Sequence, residues 1–248
     1  MLGSLRKFFR AYSDFDQSAR DKFVAKSISE ISSGSSLLDL GAGGGPYKDL
    51  VVDHDIEYTS QDFGQLPIEL LREGDYSPID VVCDAASIPL KDGIFDACLC
   101  TEVLEHVPDS YAVVSEISRL LKEDGVAIIT VPRISAAHQL PYCFVSGFHE
   151  AWVEELARRY NFIITYCGYP HGGPMNLAKL ALAQSAYNVS LLDKKGRLAA
   201  LIGLLALPFS LLSLISTSVA AAMIDRFDTT PTYSYGLHIV LRKKNQVK

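Results

Sequence analysis

No two of the five cysteines, Cys83, Cys98, Cys100, Cys143 and Cys167, form a C-x-x-C pair, and none has metal-finger spacing. Their odd number, with four in or beside apolar strand-like runs, argues against a disulfide framework and for reduced core cysteines. Positive charge is not in excess: 23 Lys and Arg stand against 29 Asp and Glu, a net charge of −6. That excludes the electrostatic footprint of a general nucleic-acid binder, so no nucleic-acid partner is expected. Arg6, Lys7 and Arg10 near the start have no apolar stretch behind them, so no cleaved secretory signal is expected and the cytoplasm is the expected compartment. No repeat of solenoid length is present. Residues 198–224 carry no charge at all. The mean hydropathy is nevertheless +0.15, high for a chain with 21% charged residues. Its apolar residues must be concentrated somewhere.

At 248 residues, 48% of them hydrophobic, the chain is long enough to bury a large core. Residues 1–34 read as helical, with Phe23, Val24, Ile28 and Ile31 at helical spacing. Short β-rich runs follow at Ser36–Leu40, Ile56–Gln61, Ile79–Cys83, Phe95–Cys100, Val126–Val131 and Phe162–Cys167. Helical patterns stand between them, including Tyr111–Lys122 and Glu150–Tyr160. This alternation predicts an α/β fold with a doubly wound parallel sheet. Four regions are expected: 1–34, a helical segment; 35–168, the core; 169–232, a helical insertion; and 233–248, a final strand with a basic tail.

Leu37 to Tyr47 reads as an apolar strand running into a glycine cluster, Asp39-Leu40-Gly41-Ala42-Gly43-Gly44-Gly45-Pro46. Such a loop at the carboxyl edge of a parallel strand lets a ligand approach the backbone closely. Two cofactor classes compete. A dinucleotide G-x-G-x-x-G would place its third glycine on Pro46, a departure. The pattern D-x-G-x-G-x-G is met at Asp39, Gly41, Gly43 and Gly45. Asp62 follows the second β run about 20 residues on, where an acidic side chain accepts ribose hydroxyls.

Further segments follow in order: Asp84-Ala85 with Pro89, Phe95-Asp96-Ala97, Glu102-Val103-Leu104-Glu105-His106-Val107, and Leu120-Leu121-Lys122-Glu123-Asp124-Gly125. With the glycine loop, they resemble the motifs of class I S-adenosylmethionine-dependent methyltransferases of the type 11 kind, in the subgroup with an EVLEHV segment. Glu123-Asp124 departs from the Pro-Gly of the last motif. The resemblance covers about residues 34–167 and returns at the final strand. It implies a Rossmann-like seven-stranded sheet whose last strand, Tyr235–Leu241, is antiparallel. It also implies S-adenosylmethionine as cofactor, bound by Asp39, Gly41, Ala42, Gly43, Gly45, Asp62, Asp84, Ala85, Thr101 and Glu102. Asp84 and Ala85 would lie against the adenine.

Methyl transfer from a sulfonium asks for alignment, exclusion of water and sometimes removal of a proton. No catalytic triad is expected, and His106 is the candidate base. Glu102, Glu105 and His106 stand at i, i+3 and i+4; on a helix they would share a face able to hold a cation, with His138 or His149 as further ligands. Relatives with the same segment and no metal exist, and no metal is expected. The stretch from His138 through Pro141 to Phe148 weakly resembles an H-x-x-P-x-D-Y-W-R segment of a subfamily found near glycan genes. Cys143, Val145 and Ser146 replace its aspartate, tryptophan and arginine. The aromatics Tyr142, Phe144, Phe148 and Trp152 suit an apolar pocket or lid, and equally a core.

Residues 198–224 are long enough to cross a bilayer. A single crossing conflicts with the final strand's return to the same sheet. Pro208 suggests a break into two pieces that form a shallow hairpin or lie in the membrane interface, and the flank of Lys194, Lys195 and Arg197 and the basic start at Arg6, Lys7 and Arg10 suit anionic lipid. A buried helical pair or a dimer interface is the other reading. The expected function is methyl transfer to a small or lipid-linked acceptor, such as a glycolipid, polyprenyl-linked sugar or quinone-like compound, at the inner face of the cytoplasmic membrane. The alternatives are a non-catalytic cofactor-binding membrane adaptor and, disfavoured by Pro46, NAD-dependent redox chemistry.

Overall fold

The computed structural model describes residues 15–71, 74–170, 173–174, 176–178, 180–181, 183–184, 196–224, 227 and 234–245. The expected helix in 1–34 is found as α1 (Phe15–Ser29); residues 1–14 lie outside the described ones. Seven strands follow: β1 (Ser36–Leu40), β2 (Glu57–Asp62), β3 (Val81–Val82), β4 (Phe95–Thr101), β5 (Leu121–Pro132), β6 (Phe162–Gly168) and β7 (Gly236–Lys243). The helices among them are α2 (Lys48–Asp53), α3 (Ser110–Leu120), α4 (Glu150–Arg159) and α5 (Gly196–Ile224).

The strands form one sheet in the order β3-β2-β1-β4-β5-β7-β6. β1 to β5 pair in parallel, and β7 runs antiparallel between β5 and β6. This is the Rossmann-like doubly wound fold with an antiparallel last strand, and an apolar helix precedes that strand. The chain divides into two compact units. One comprises Arg20–Gly168 and Gly236–Lys248, the other Met1–Ala19 and Tyr169–Tyr235.

The sheet's central strands are buried on both faces, so their sequence is apolar almost throughout rather than alternating. Leu37, Leu38 and Leu40 of β1, Leu99 of β4 and Ile128 and Ile129 of β5 are fully buried. Val24 and Ile28 of α1 pack with Leu37, Leu99 and Ile128. α3 opens on Asp109, whose carboxylate accepts from Ala112 N at 3.0 Å, a side-chain cap for an amide the helix cannot satisfy. Its Val113, Val114, Ile117 and Leu120 form the buried stripe. On its other side Arg119 donates to Glu116, Asp92 and the carbonyls of Ile88 and Leu90, fastening the loop before β4.

A serine–aspartate clip is used twice: at the amino edge of the sheet, where β1 begins, and farther along, where β2 meets the start of β3. Ser36 donates from both N and Oγ to Asp96 Oδ2 at 2.9 Å, and Asp96 N returns a bond to Ser36 Oγ. Ser60 and Asp80 do the same at 2.8 and 2.7 Å, with Asp80 N donating to Ser60 Oγ. The second clip explains why the expected strand over Ile79–Cys83 shrinks to Val81–Val82. At Asp80 the link to β2 is made through side chains, and the ladder begins only at Gln61–Val81.

Two expectations are corrected. Only Cys98 and Cys100 lie in the core; Cys83, Cys143 and Cys167 are half-buried, and all five thiols are free. Pro208 does not break the apolar segment: α5 is one helix of 29 residues with Pro208 inside it, about 43 Å long. Proline removes one helical bond, which a long run of strong helix formers such as Leu and Ala outweighs here.

Ser60's amide and hydroxyl hold the Asp80 carboxyl below the usual carboxylate range. A carboxyl lowered on folding stabilises the fold above its unfolded pKa, and that contribution fades as pH falls through its folded value. Ser60→Ala is therefore expected to cost about 1 kcal/mol at neutral pH, with the gap to wild type narrowing in acid. Urea unfolding across pH checks this; a gap that widens in acid contradicts it.

Candidate active site

The site lies at the carboxyl edge of the sheet, where β1, β2 and β4 end side by side. β1 delivers the chain into Gly41, Gly43 and Gly45 at φ 71°, 53° and 69°. Only glycine adopts this left-handed series readily. A Cβ at Gly41 would overlap the Val103 side chain, and one at Gly45 would stand 2.9 Å from Ser77 Oγ. Gly41 and Ala42 both donate to the carbonyl of Gln61, at 2.8 and 3.0 Å. Asp62 then binds the loop through its carboxylate: Oδ2 accepts from Gly43 N at 3.0 Å and Oδ1 from Gly64 N at 2.8 Å. Gln61 reaches the next strand by donating from Nε2 to Cys83 O at 2.7 Å.

The other expected residues sit as follows. Asp39 is buried in β1 and accepts from the Tyr58 hydroxyl at 2.7 Å. Burial, with Asp39 alongside, pushes the Tyr58 phenol far above its ordinary pKa, so it stays a donor. Asp84 is exposed and accepts from Ala86 N, which fixes the turn that buries Ala85. Thr101 ends β4, half-buried. Glu102 takes a left-handed conformation, φ 53°.

That conformation overturns the shared helical face of Glu102, Glu105 and His106. Only Leu104–His106 form a single 3₁₀ turn. Glu102 instead accepts from Thr130 Oγ1 at 3.0 Å and faces Arg20 of α1, with Nη1 to Oε2 at 3.5 Å. His138 takes the third place: Glu105, His106 and His138 bring one ligand-type atom each within 4.8 Å of one another, a spacing a cation can bridge. His149 begins α4 and is not in that group.

His106 Nδ1 lies 2.6 Å from Tyr142 O. A carbonyl only accepts, so Nδ1 carries the proton and Nε2 the lone pair. Burial, with His138 nearby, lowers the pKa of His106 despite the bond to Tyr142, which favours the neutral ring. Glu105 is fully buried, and neither carboxyl oxygen has a hydrogen-bond partner among the described residues. Burial above all, then Glu102, raises its pKa well above the usual range. Its Oε1 stands 3.6 Å from His106 Nε2.

The stretch after β5 folds over this edge. Phe144 N and Val145 N donate to Glu105 O, Gln139 Nε2 donates to Leu70 O, and the rings of Phe63 and Tyr142 meet edge-on at 5.2 Å. The four aromatics divide between the two uses left open by the sequence. Tyr142 stands over the site and Phe144 is half exposed, while Phe148 and Trp152 pack together at 4.4 Å. Sequence reasoning missed Arg20 and Gln61. Gln61 stands beside the singled-out Asp62, but nothing in the pattern around Arg20 sets it apart from a surface residue.

Residues 38–129 match a family described as a methyltransferase domain. Over 100 residues the chain is 32% identical to the ubiquinone biosynthesis O-methyltransferase of Stutzerimonas stutzeri, covering 37% of this chain and 42% of that protein. It is 30% identical over 111 residues to the mouse tRNA (carboxymethyluridine(34)-5-O)-methyltransferase, covering 44% and 16%. The chain thus spans less than half the length of these curated relatives. In fold it resembles a phosphoethanolamine N-methyltransferase of Haemonchus contortus in complex with S-adenosyl-L-methionine. The TM-score is 0.53 at 17% identity, over 91% of this chain and 53% of that one. The glycine loop, the acidic end of β2 and the sheet order agree with these matches: residues 38–129 belong to a class I, S-adenosylmethionine-dependent methyltransferase domain.

Proposed function

We propose that this chain transfers the methyl group of S-adenosylmethionine to a small or lipid-linked acceptor of quinone-like chemistry, at the cytoplasmic face of a membrane. The observation that carries the reading is the pairing of the glycine loop with Asp62 at the ends of adjacent strands. The residues present suit the cofactor. Gly43 to Gly45 leave the backbone bare, and each Asp62 oxygen holding one amide keeps a further lone pair for a hydroxyl. Asp84 and Ala85, at the end of the neighbouring strand, are assigned to the adenine. Asp39, Gly41 and Ala42 shape the loop, and Thr101 and Glu102 wall its far side. Arg20, paired with Glu102, supplies a cation suited to the carboxylate of the cofactor's amino-acid end. When bound, the cofactor supplies a methyl already activated by a positive sulfur.

The chain's own task is then alignment and proton removal. Phe63 and Tyr142 cover the edge and exclude water, which favours transfer over hydrolysis. His106 presents a neutral Nε2 lone pair, held in orientation by Tyr142, and is assigned to take the acceptor's proton. The ubiquinone biosynthesis O-methyltransferase relative favours an oxygen acceptor, and the apolar rim of Ile134, Leu140 and Phe144, all well exposed, suits an acceptor with an apolar body.

Calorimetry with S-adenosylmethionine and with NAD should show binding of the first alone; well-folded protein that binds neither refutes the reading. Asp62→Ala is expected to weaken binding by about 1–3 kcal/mol through loss of a buried acceptor. Gly41→Ala should lose cofactor affinity at least tenfold, because its Cβ pushes Val103. Gly34→Ala, at φ 75° with nothing within 4 Å, bears the same backbone cost and should leave affinity intact. His106→Gln is expected to lower turnover by about 10²-fold or more at unchanged cofactor affinity, read by transfer of labelled methyl to a membrane-lipid extract. Unchanged turnover would remove His106 from the mechanism.

A further inference from the structure

The apolar helix α5 has two unlike sides. At about 100° per residue, Leu198, Leu205, Leu212 and Val219 fall along one line at intervals of seven. All are more than half exposed, Leu198 by 71%. Among the described residues of the helix the buried ones are small, Gly203, Ser210 and Ala221, and they fall on the opposite line. Between Leu198 and Ile224, twelve large apolar side chains are exposed, and they sweep over more than half of the circumference. Together they open on the order of 1,000 Å² of apolar surface, where a soluble monomer tolerates a patch of a few hundred. Leu201–Ala221 has a mean hydropathy of 1.9, and only 11% of its most apolar window is buried. A core helix of this composition would be mostly buried, and a signal sequence would stand near the amino terminus. This helix does neither.

Four of the five hydroxyls on α5, all but that of Ser213, are prepared for an apolar solvent. Ser210 Oγ donates to Ala206 O, Ser216 Oγ and Thr217 Oγ1 to Ser213 O, and Ser218 Oγ to Leu214 O. Hydroxyls bonded back into their own helix add no unpaired donor when the helix enters hydrocarbon. A protein partner is a poorer occupant. Specific interfaces carry a polar rim and placed hydrogen bonds, and the exposed arc offers no charge from Leu198 to Ile224. The charges instead stand at the ends, with Lys194, Lys195 and Arg197 before and Asp225, Arg226 and Asp228 after. The basic cluster complements anionic headgroups.

Length alone would let α5 cross a bilayer about 30 Å thick. The sheet forbids it. β6 before the helix and β7 after it pair with each other, so the chain must leave and return on the same side. A crossing would need a second crossing to come back. Among the described residues no other helix is long and apolar enough. The fourteen residues from 222 to 235 span only about 21 Å as a helix and carry three charges.

We infer that α5 is a monotopic lipid-binding helix, lying along the bilayer surface with the Leu198–Leu205–Leu212–Val219 side in hydrocarbon and its basic end at anionic headgroups. This deepens the membrane location proposed above and is independent of the methyl-transfer chemistry. The test is flotation of the full chain with vesicles of phosphatidylcholine, with and without phosphatidylglycerol. Wild type should float, more strongly with the anionic lipid. Leu205→Glu with Leu212→Glu should reduce the bound fraction at least tenfold at unchanged melting temperature and unchanged S-adenosylmethionine affinity. Should that variant unfold, Lys194→Gln, Lys195→Gln and Arg197→Gln together should still cut binding to anionic vesicles by about fivefold or more. Trypsin added outside the vesicles should cleave after both Lys195 and Arg226.

Wild type that stays with the soluble fraction overturns the inference, as does a glutamate variant that floats undiminished. Protection of Arg226 alone would show a span and overturn it. A wild-type dimer in light scattering that the glutamates split, without vesicle binding, would assign the arc to a second copy. Flotation by protein that binds no S-adenosylmethionine would leave this inference standing and remove the methyl-transfer reading instead.

Discussion

The Asp62 carboxylate holds two backbone amides at once, Gly43 on the loop after β1 and Gly64 on the loop after β2. Everything at the glycine-loop end of the site depends on that bridge. It fixes the glycine loop in a left-handed series that would otherwise be one conformation among many for so many glycines. It also ties two crossover connections at the point where both leave the sheet. Gln61 beside it accepts from the loop and donates to the third strand's end. Two adjacent side chains therefore join three strand ends into one rim.

The opposite edge of the sheet is held by different means. There the Ser36–Asp96 clip replaces ladder bonds with reciprocal side-chain bonds, and Lys122 adds a charge beside Asp96; the Ser60–Asp80 clip does the same between β2 and the start of β3, two residues short of Asp62. Burial pushes the Asp96 carboxyl up, but Lys122 and Ser36 outweigh it and hold it below the usual range. Fixing both edges leaves the glycine-loop end free to carry bare backbone and buried acid. Glu105 shows how far that freedom goes. A fully buried carboxyl without a hydrogen bond costs stability, and the firmly packed centre of the sheet tolerates it.

Much of this was legible in the sequence, for reasons that differ by element. Parallel strands buried on both faces leave unbroken apolar runs, so β1 and β4 were placed within one residue, while β5 begins five residues before its apolar run. The glycine spacing and Asp62 were legible because backbone approach and hydroxyl acceptance require those residue types. The E-x-x-E-H spacing offered a shared face only on a helix, and a left-handed Glu102 turns that face away. Arg20 was invisible because a single arginine on a polar helix looks like any solvated one. His138 lies 32 positions from His106, a proximity set by the fold of the stretch after β5. The continuity of α5 was missed because proline's cost was weighed without the run of helix formers around it.

The order of strands has a consequence for how the protein is made. β6 pairs with the sheet through β7, and β7 is encoded last. While the ribosome is still adding residues, β6 has no strand to join, β5 has an open edge and the uncharged helix has already emerged. Completion of the sheet therefore waits for β7, and the interval between β6 and β7 is when the growing polypeptide is most exposed to wrong pairing. A helix that settles on a lipid surface during that interval would shelter its apolar side and keep the unfinished sheet close to where its last strand will arrive.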